Sequence, residues 1–313
     1  MPGQARIARA AVGLKPMSIS AKLNLGLRAK FNLTMLVAFA VAFAVAAVLL
    51  HRILIDNARQ EVLTNARIMM TAANAIRTYT ADDLVPLLPM EHDGKFVAQT
   101  VPAFAAQTNF KEIQAVFAGY TYREPALNPT NLTDRAQDWE ADLIRAFLND
   151  PGKKELAVER DTPLGPTLNL ARPVTITDPA CLICHDTPAA APASLIKTYG
   201  GNNGFGWKLN ETVGAQILSV PMAVPLKLAH DAYVTFLGVL AAMCAIVFVI
   251  VNLLLHFVVI TPVKRVSAAA DAVSLGDETA APYIKPGKDE ISSLSVSFNR
   301  MRESLKHAMA MIK

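Results

Sequence analysis

Cysteine is scarce in this chain: three among 313 residues, at positions 181, 184 and 244. No second Cys-x-x-Cys pair and no His-x-His cluster accompanies Cys181 and Cys184. A structural zinc site, which needs four ligands, therefore lacks its other half. Acid is missing from residues 1–30, which carry Arg6, Arg9, Lys15, Lys22, Arg28 and Lys30. There is no Ser-His-Asp order, no phosphate-cradling glycine loop and no metal-ligand cluster apart from one motif described below. Catalysis thus has little to stand on, and a non-enzymatic role is expected.

What is abundant is apolar side chain, 52% of residues against 18% charged. Phe31–Leu50 contains no charge, and a second apolar run extends from Tyr233 to Ile260. Each is long enough to cross a hydrocarbon core of roughly 30 Å as a helix. Basic residues before the first run, and Lys264 and Arg265 after the second, place both termini on the cytoplasmic side by the positive-inside rule. A cleaved signal peptide is the competing reading. The basic leader is long, however, and cleavage would cut within the apolar run, so an uncleaved anchor in a bacterial inner membrane is expected. The leader serves topology and can touch anionic lipid, so the net charge of +4 calls for no nucleic acid. The expected organisation is a basic leader (1–30), a first span (31–51), an outward-facing domain (52–232), a second span (233–260) and a cytoplasmic segment (261–313). His51 and His256 fall at opposite membrane faces and cannot share an iron within one subunit. Cys244 lies mid-span as a small apolar residue.

The outward domain carries the chemical signal. Cys181-Leu182-Ile183-Cys184-His185 is the covalent attachment signature of c-type haem. Its two thiols add across the porphyrin vinyl groups, and the adjacent imidazole becomes the proximal iron ligand. A thioredoxin-like pair is the rival, but it has no need of the histidine. One covalent haem is expected, on the outer face where such haems are attached.

Ile55–Tyr79 reads as a helix whose face of Ala66, Met70, Ala73 and Arg77 could lie against a haem or be an ordinary packing stripe. Residues 86–102 read as loop, 103–117 as a helix, 120–122 as a strand and 134–147 as a helix with Trp139, Leu143 and Phe147 in the core. Short strands follow at 156–159, 167–171 and 174–177, broken by Gly-Pro and Arg-Pro. The glycine-dense loop Gly200–Lys208 would allow close backbone approach to a large flat group, and a last strand covers 212–220. For the sixth position on iron the candidates are Met70, Met90, His92 and Met222. Arg77, Arg172 and Lys208 are candidate propionate contacts.

The order Asn128-Pro129, Trp139-Glu140, Ala171-Arg172-Pro173, the Cys-x-x-Cys-His motif, Gly204-Phe205-Gly206-Trp207-Lys208 and Val213-Gly214-Ala215 resembles the periplasmic haem c sensor domains of PAS-like fold, over roughly residues 55–225. That resemblance implies an α+β domain, a PAS-like sheet with long N-terminal helices, one haem c, His185 as proximal ligand and redox or small-ligand sensing. Some relatives supply a distal cysteine, which this chain lacks outside the membrane.

Below the second span, Ile291, Leu294, Phe298, Met301, Leu305, Ala308 and Ile312 alternate in three- and four-residue steps, the seam of a coiled coil. With Pro262, Gly276-Asp277, Asp289-Glu290-Ile291 and Phe298-Asn299-Arg300-Met301 this segment resembles a HAMP linker domain. The resemblance implies a parallel four-helix bundle from two chains, hence a homodimer. Since the sequence ends with that helix, output is expected to pass to a separate cytoplasmic signalling protein. The reading is a membrane-bound haem c sensor answering to redox state or a small gaseous ligand. The alternative is a tethered c-type cytochrome for electron transfer, or an accessory cytochrome of a membrane complex with a redox partner.

Overall fold

The computed structural model describes residues 26–277 and 281–312. The basic leader expected over 1–30 lies outside the described residues up to position 25. So does the side chain of Ile312. The chain divides into two compact units, Ala46–Gly238 and a second made by Met1–Val45 with Val239–Lys313. Helix α1 (Leu27–Tyr79) and helix α6 (Ala223–Leu254) each pass from one unit to the other. Both belong to helical stretches long and apolar enough to cross a membrane, Leu27–Leu84 and Ala223–Ser274. The two expected spans lie inside them.

The larger unit is built on a four-stranded antiparallel sheet. Its strands are β3 (Thr121–Arg123), β4 (Leu156–Thr162), β5 (Gly165–Thr175) and β6 (Thr212–Pro221), in the order β3-β6-β5-β4. The two faces are covered separately. One face, with Tyr122, Leu168, Leu170, Leu218 and Val220, packs against Val62, Ala66, Met70 and Ala73 of α1 and against Ala106 and Phe110 of α2 (Pro102–Val116). The small residues at 66 and 73 let the α1 backbone lie close to the sheet. The opposite face, with Ala171, Ala215 and Ile217, packs against Leu143, Ile144 and Phe147 of α3 (Asp138–Asn149). Helix α3 begins with a capping box in which Gln137 and Glu140 satisfy each other's backbone N–H groups.

Two of the expected strands, 167–171 and 174–177, are one. β5 runs unbroken through Pro173, which pairs with Ala215 of β6. The β4 partner ends at the Leu156–Ala171 pair, so at position 173 β5 is already an edge on that side. A missing N–H there breaks no ladder bond, the setting in which a strand accepts proline. Within the expected 86–102 loop, β1 (Glu91–His92) and β2 (Lys95–Phe96) form a minimal hairpin around Asp93 and Gly94, both at positive φ.

In the second unit a π-helical stretch, Leu255–Ile260, joins α6 to α7 (Thr261–Ser274). Gly276, at φ +85°, ends α7. Asp289 caps α8 (Glu290–Ile312) by accepting from Ser292 N at 2.7 Å. The connector is strapped to α8 where Asn299 donates to the Tyr283 carbonyl at 2.7 Å and Lys285 N donates to Ser295 Oγ at 3.1 Å. Val266 and Phe298 are buried, while Leu294, Met301 and Leu305 stand open in a stripe along α8.

Candidate functional site

The Cys-x-x-Cys-His segment belongs to an excursion from the β5–β6 hairpin. The excursion is closed at its neck by Asn210 N donating to the Ile176 carbonyl at 2.7 Å and Ile176 N donating to the Glu211 carbonyl at 2.9 Å. Asp178 starts the turn by accepting from Ala180 N at 2.8 Å. A single 3-10 turn, Pro179–Cys181, runs into helix α4 (Leu182–His185), so both thiols and the imidazole share one compact coil. Cys181 and Cys184 are unbonded and half-buried. Ile183 between them is left 52% exposed.

Burial pushes both thiols up, with Asp178 adding to the effect at Cys181 and Cys181 adding to it at Cys184. A nucleophilic redox thiol needs the opposite, a lowered pKa. The pair is therefore not activated as a thioredoxin-like redox couple is.

His185 is clamped by a distant loop. Its Nδ1 lies 2.7 Å from the Gly204 carbonyl and 3.3 Å from Thr130 Oγ1. A carbonyl only accepts, so Nδ1 carries the proton and donates, leaving the Nε2 lone pair for a metal. Burial pushes the imidazole pKa down, against the Gly204 hydrogen bond, which favours the neutral ring a metal requires. Two backbone bonds dock the loop beside the motif: Gly206 N donates to the Asp186 carbonyl at 2.7 Å and Trp207 N to that of His185 at 3.2 Å. The Trp207 indole stacks on the imidazole with centroids 3.7 Å apart and planes inclined by 10°. Gly204 has φ +78°, and a Cβ there would come within 2.0 Å of Thr130 Oγ1. No side chain fits that position.

The donor chemistry fits a haem c. Two unbonded thiols, an exposed aliphatic residue between them and a histidine with Nδ1 occupied are the groups that would hold it. Among the described residues no group of three His, Cys, Asp or Glu side chains offers a competing metal site.

Beside the motif runs a buried polar chain. Arg77, near the end of α1, forms an ion pair with the buried Glu124, whose other oxygen accepts from Tyr122 Oη at 2.8 Å. Burial and the Glu124 carboxylate push the Tyr122 phenol up, so it stays a donor. Gln216 of β6 donates to Asn74 of α1 at 2.7 Å. The Arg77 charge acts on Cys181, opposing without overcoming the rise that burial and Asp178 impose on that thiol.

The other candidates are scattered. Arg172 is engaged with Glu155, donating through Nε and Nη2 at 3.1 and 2.9 Å, and Arg67 shares that carboxylate. Lys208 is exposed, and its backbone N–H caps onto Glu211 at 3.0 Å. Met70 and Met222 are fully buried among aliphatic residues of the α1-side core. His92 is exposed beside Asp93 at 3.4 Å, and Met90 is half-buried at the foot of the same hairpin. That hairpin touches helix α5 (Ala193–Tyr199), with Phe96 edge-on to Tyr199 at 6.0 Å. Thr130 and the Gly204 carbonyl were not expected from the sequence. The glycine-dense loop was, as a close approach to something flat. In the structure Gly204 of that loop approaches Thr130 closely, and the loop's Trp207 indole lies on His185.

The structure thus places two thiols and an imidazole on one compact coil, with a second loop holding the histidine. The chain belongs to the Tll0287-like family, whose model matches residues 55–221, and residues 254–307 form a HAMP domain. A solved structure, "Crystal structure of the cyanobacterial heme-protein Tll0287", aligns with TM-score 0.41 and 16% identity, covering 51% of this chain and 95% of that one. No curated protein matches the chain.

Proposed function

We propose that this protein is a membrane-anchored haem c sensor subunit, with Cys181 and Cys184 as the thioether anchors and His185 as the proximal ligand. The observation that carries the proposal is the His185 clamp. Nδ1 is tied to Gly204 and Nε2 is left for iron, on a chain that also bears a HAMP domain. Bound haem would supply an iron whose charge and axial coordination change with redox state or a small ligand such as carbon monoxide. The chain's own residues do the rest. Gly204 and Thr130 hold the imidazole tautomer, and Arg77 brings a positive charge, backed by Glu124, to the anchor coil. Because Arg77 sits on the helix that continues to the first apolar stretch, a change of charge at the coil bears on α1 directly.

The reading extends to a PAS-like sheet, an outward-facing haem domain between two spans, and both termini in the cytoplasm. Two copies would join along the open α8 stripe, and output would pass to a separate cytoplasmic partner. Met90 and His92, on the hairpin that touches α5, are the sixth-ligand candidates we favour. Full-length protein in lipid nanodiscs, with cysteines placed along α8, tests the sensor reading. The cross-linking pattern should differ between oxidised, reduced and carbon-monoxide-bound haem. One identical pattern, together with a six-coordinate iron indifferent to carbon monoxide, would instead favour an electron carrier.

A further inference from the structure

The hydrogen bonds at Nδ1 fix which nitrogen of His185 faces the metal and hold one edge of the ring, while the plane of the ring is also met from its face. Among the described residues, one aromatic ring stacks on that face. The Trp207 indole lies parallel to the imidazole, 3.7 Å away and inclined by 10°. The same residue's backbone N–H is bonded to the His185 carbonyl at 3.2 Å, so the loop that carries the indole is docked on the end of the helix that carries the imidazole. Trp207 is only half-buried. An indole present merely to fill core would be enclosed, whereas this one spends a large flat face on a single ring.

We propose that Trp207 is a positioning residue that sets the plane of the proximal imidazole, and through it the direction in which Nε2 is presented. It touches no metal and takes no part in attachment. The proposal rests on His185 being an iron ligand. An axial imidazole ring that is not held can rotate about its metal bond, and that rotation changes which iron d orbital its π system overlaps. A stacked wall removes the freedom before any cofactor arrives.

The comparison that decides is Trp207→Phe against Trp207→Met in the full-length, haem-loaded protein. Phenylalanine keeps a flat face, and methionine fills space without one. The readout is the ferric electron paramagnetic resonance spectrum, with the midpoint potential and thermal unfolding recorded alongside. The Met variant should show shifted, broadened g values, or loss of haem, while the Phe variant stays near the parent spectrum. If both variants behave alike, whether both match the parent or both lose haem, Trp207 is packing and the proposal is overturned. If the parent chain itself carries no covalent haem, the haem reading fails and takes this proposal with it.

Discussion

Gly204 and Gly206 offer a matched pair for testing how the site is built. Both sit at left-handed φ, +78° and +77°, so alanine at either pays the same backbone penalty of about 1–2 kcal/mol. Their surroundings differ. A Cβ at 206 meets nothing within 4 Å, whereas at 204 it meets Thr130 Oγ1 at 2.0 Å, its N at 2.6 Å and its Cα at 2.7 Å. The last two are backbone atoms and cannot rotate away, so the loop must retreat. Such overpacking costs a further ~1–3 kcal/mol, and the retreat carries the Gly204 carbonyl away from His185 Nδ1. Gly204→Ala should therefore unfold earlier than Gly206→Ala by that extra amount in denaturant titrations of the full-length protein. It alone should alter the haem absorption spectrum. Equal losses in the two variants, with unchanged spectra, would refute the idea that close approach to Thr130 seats the histidine clamp.

Other outcomes follow from the buried polar groups. Glu124→Ala strands the largely buried Arg77 guanidinium without its carboxylate and should cost about 3–5 kcal/mol in the same titration. A loss below about 1 kcal/mol would mean water already reaches the pair. Glu155 is desolvated by burial, yet hydrogen bonds from Arg172 and Arg67 prevail and hold its carboxyl below the usual range. A depressed folded-state pKa contributes stability that is present above the usual value of 4.5 and lost as pH falls through the folded value. Glu155→Gln should therefore flatten the acid limb of the stability–pH profile. An acid limb unchanged from the parent protein would contradict the pairing.

Local pattern carried much of the fold. The helical period on α1 pointed to Ala66, Met70, Ala73 and Arg77 as one face. That face does pack on the sheet, with Arg77 turned to Glu124. Leu143 and Phe147 of α3 lie in the core as their spacing required, while Trp139 is half-buried with the Arg160 guanidinium 3.9 Å above its ring. The strand continues through Pro173 because the neighbouring strand stops short of it, a long-range fact that a local breaker rule does not contain. The histidine clamp was hidden for a related reason. Thr130 and Gly204 are far from each other in sequence, and only the folded chain brings both to His185 Nδ1. Gly204 was legible as a residue needing space, but what filled that space was not. For Met70 and Met222, composition allowed either ligand or core filler, and burial among aliphatic side chains is a tertiary fact.

The claim on which the account turns is that Cys181 and Cys184 hold a haem covalently. Intact mass of the full-length protein, produced in a host that matures c-type cytochromes and measured under denaturing conditions, tests it directly. The account predicts a polypeptide carrying the mass of one haem, and bare polypeptide from Cys181→Ser/Cys184→Ser. A parent chain whose mass is that of the polypeptide alone, with any haem washed away on denaturation, would contradict it.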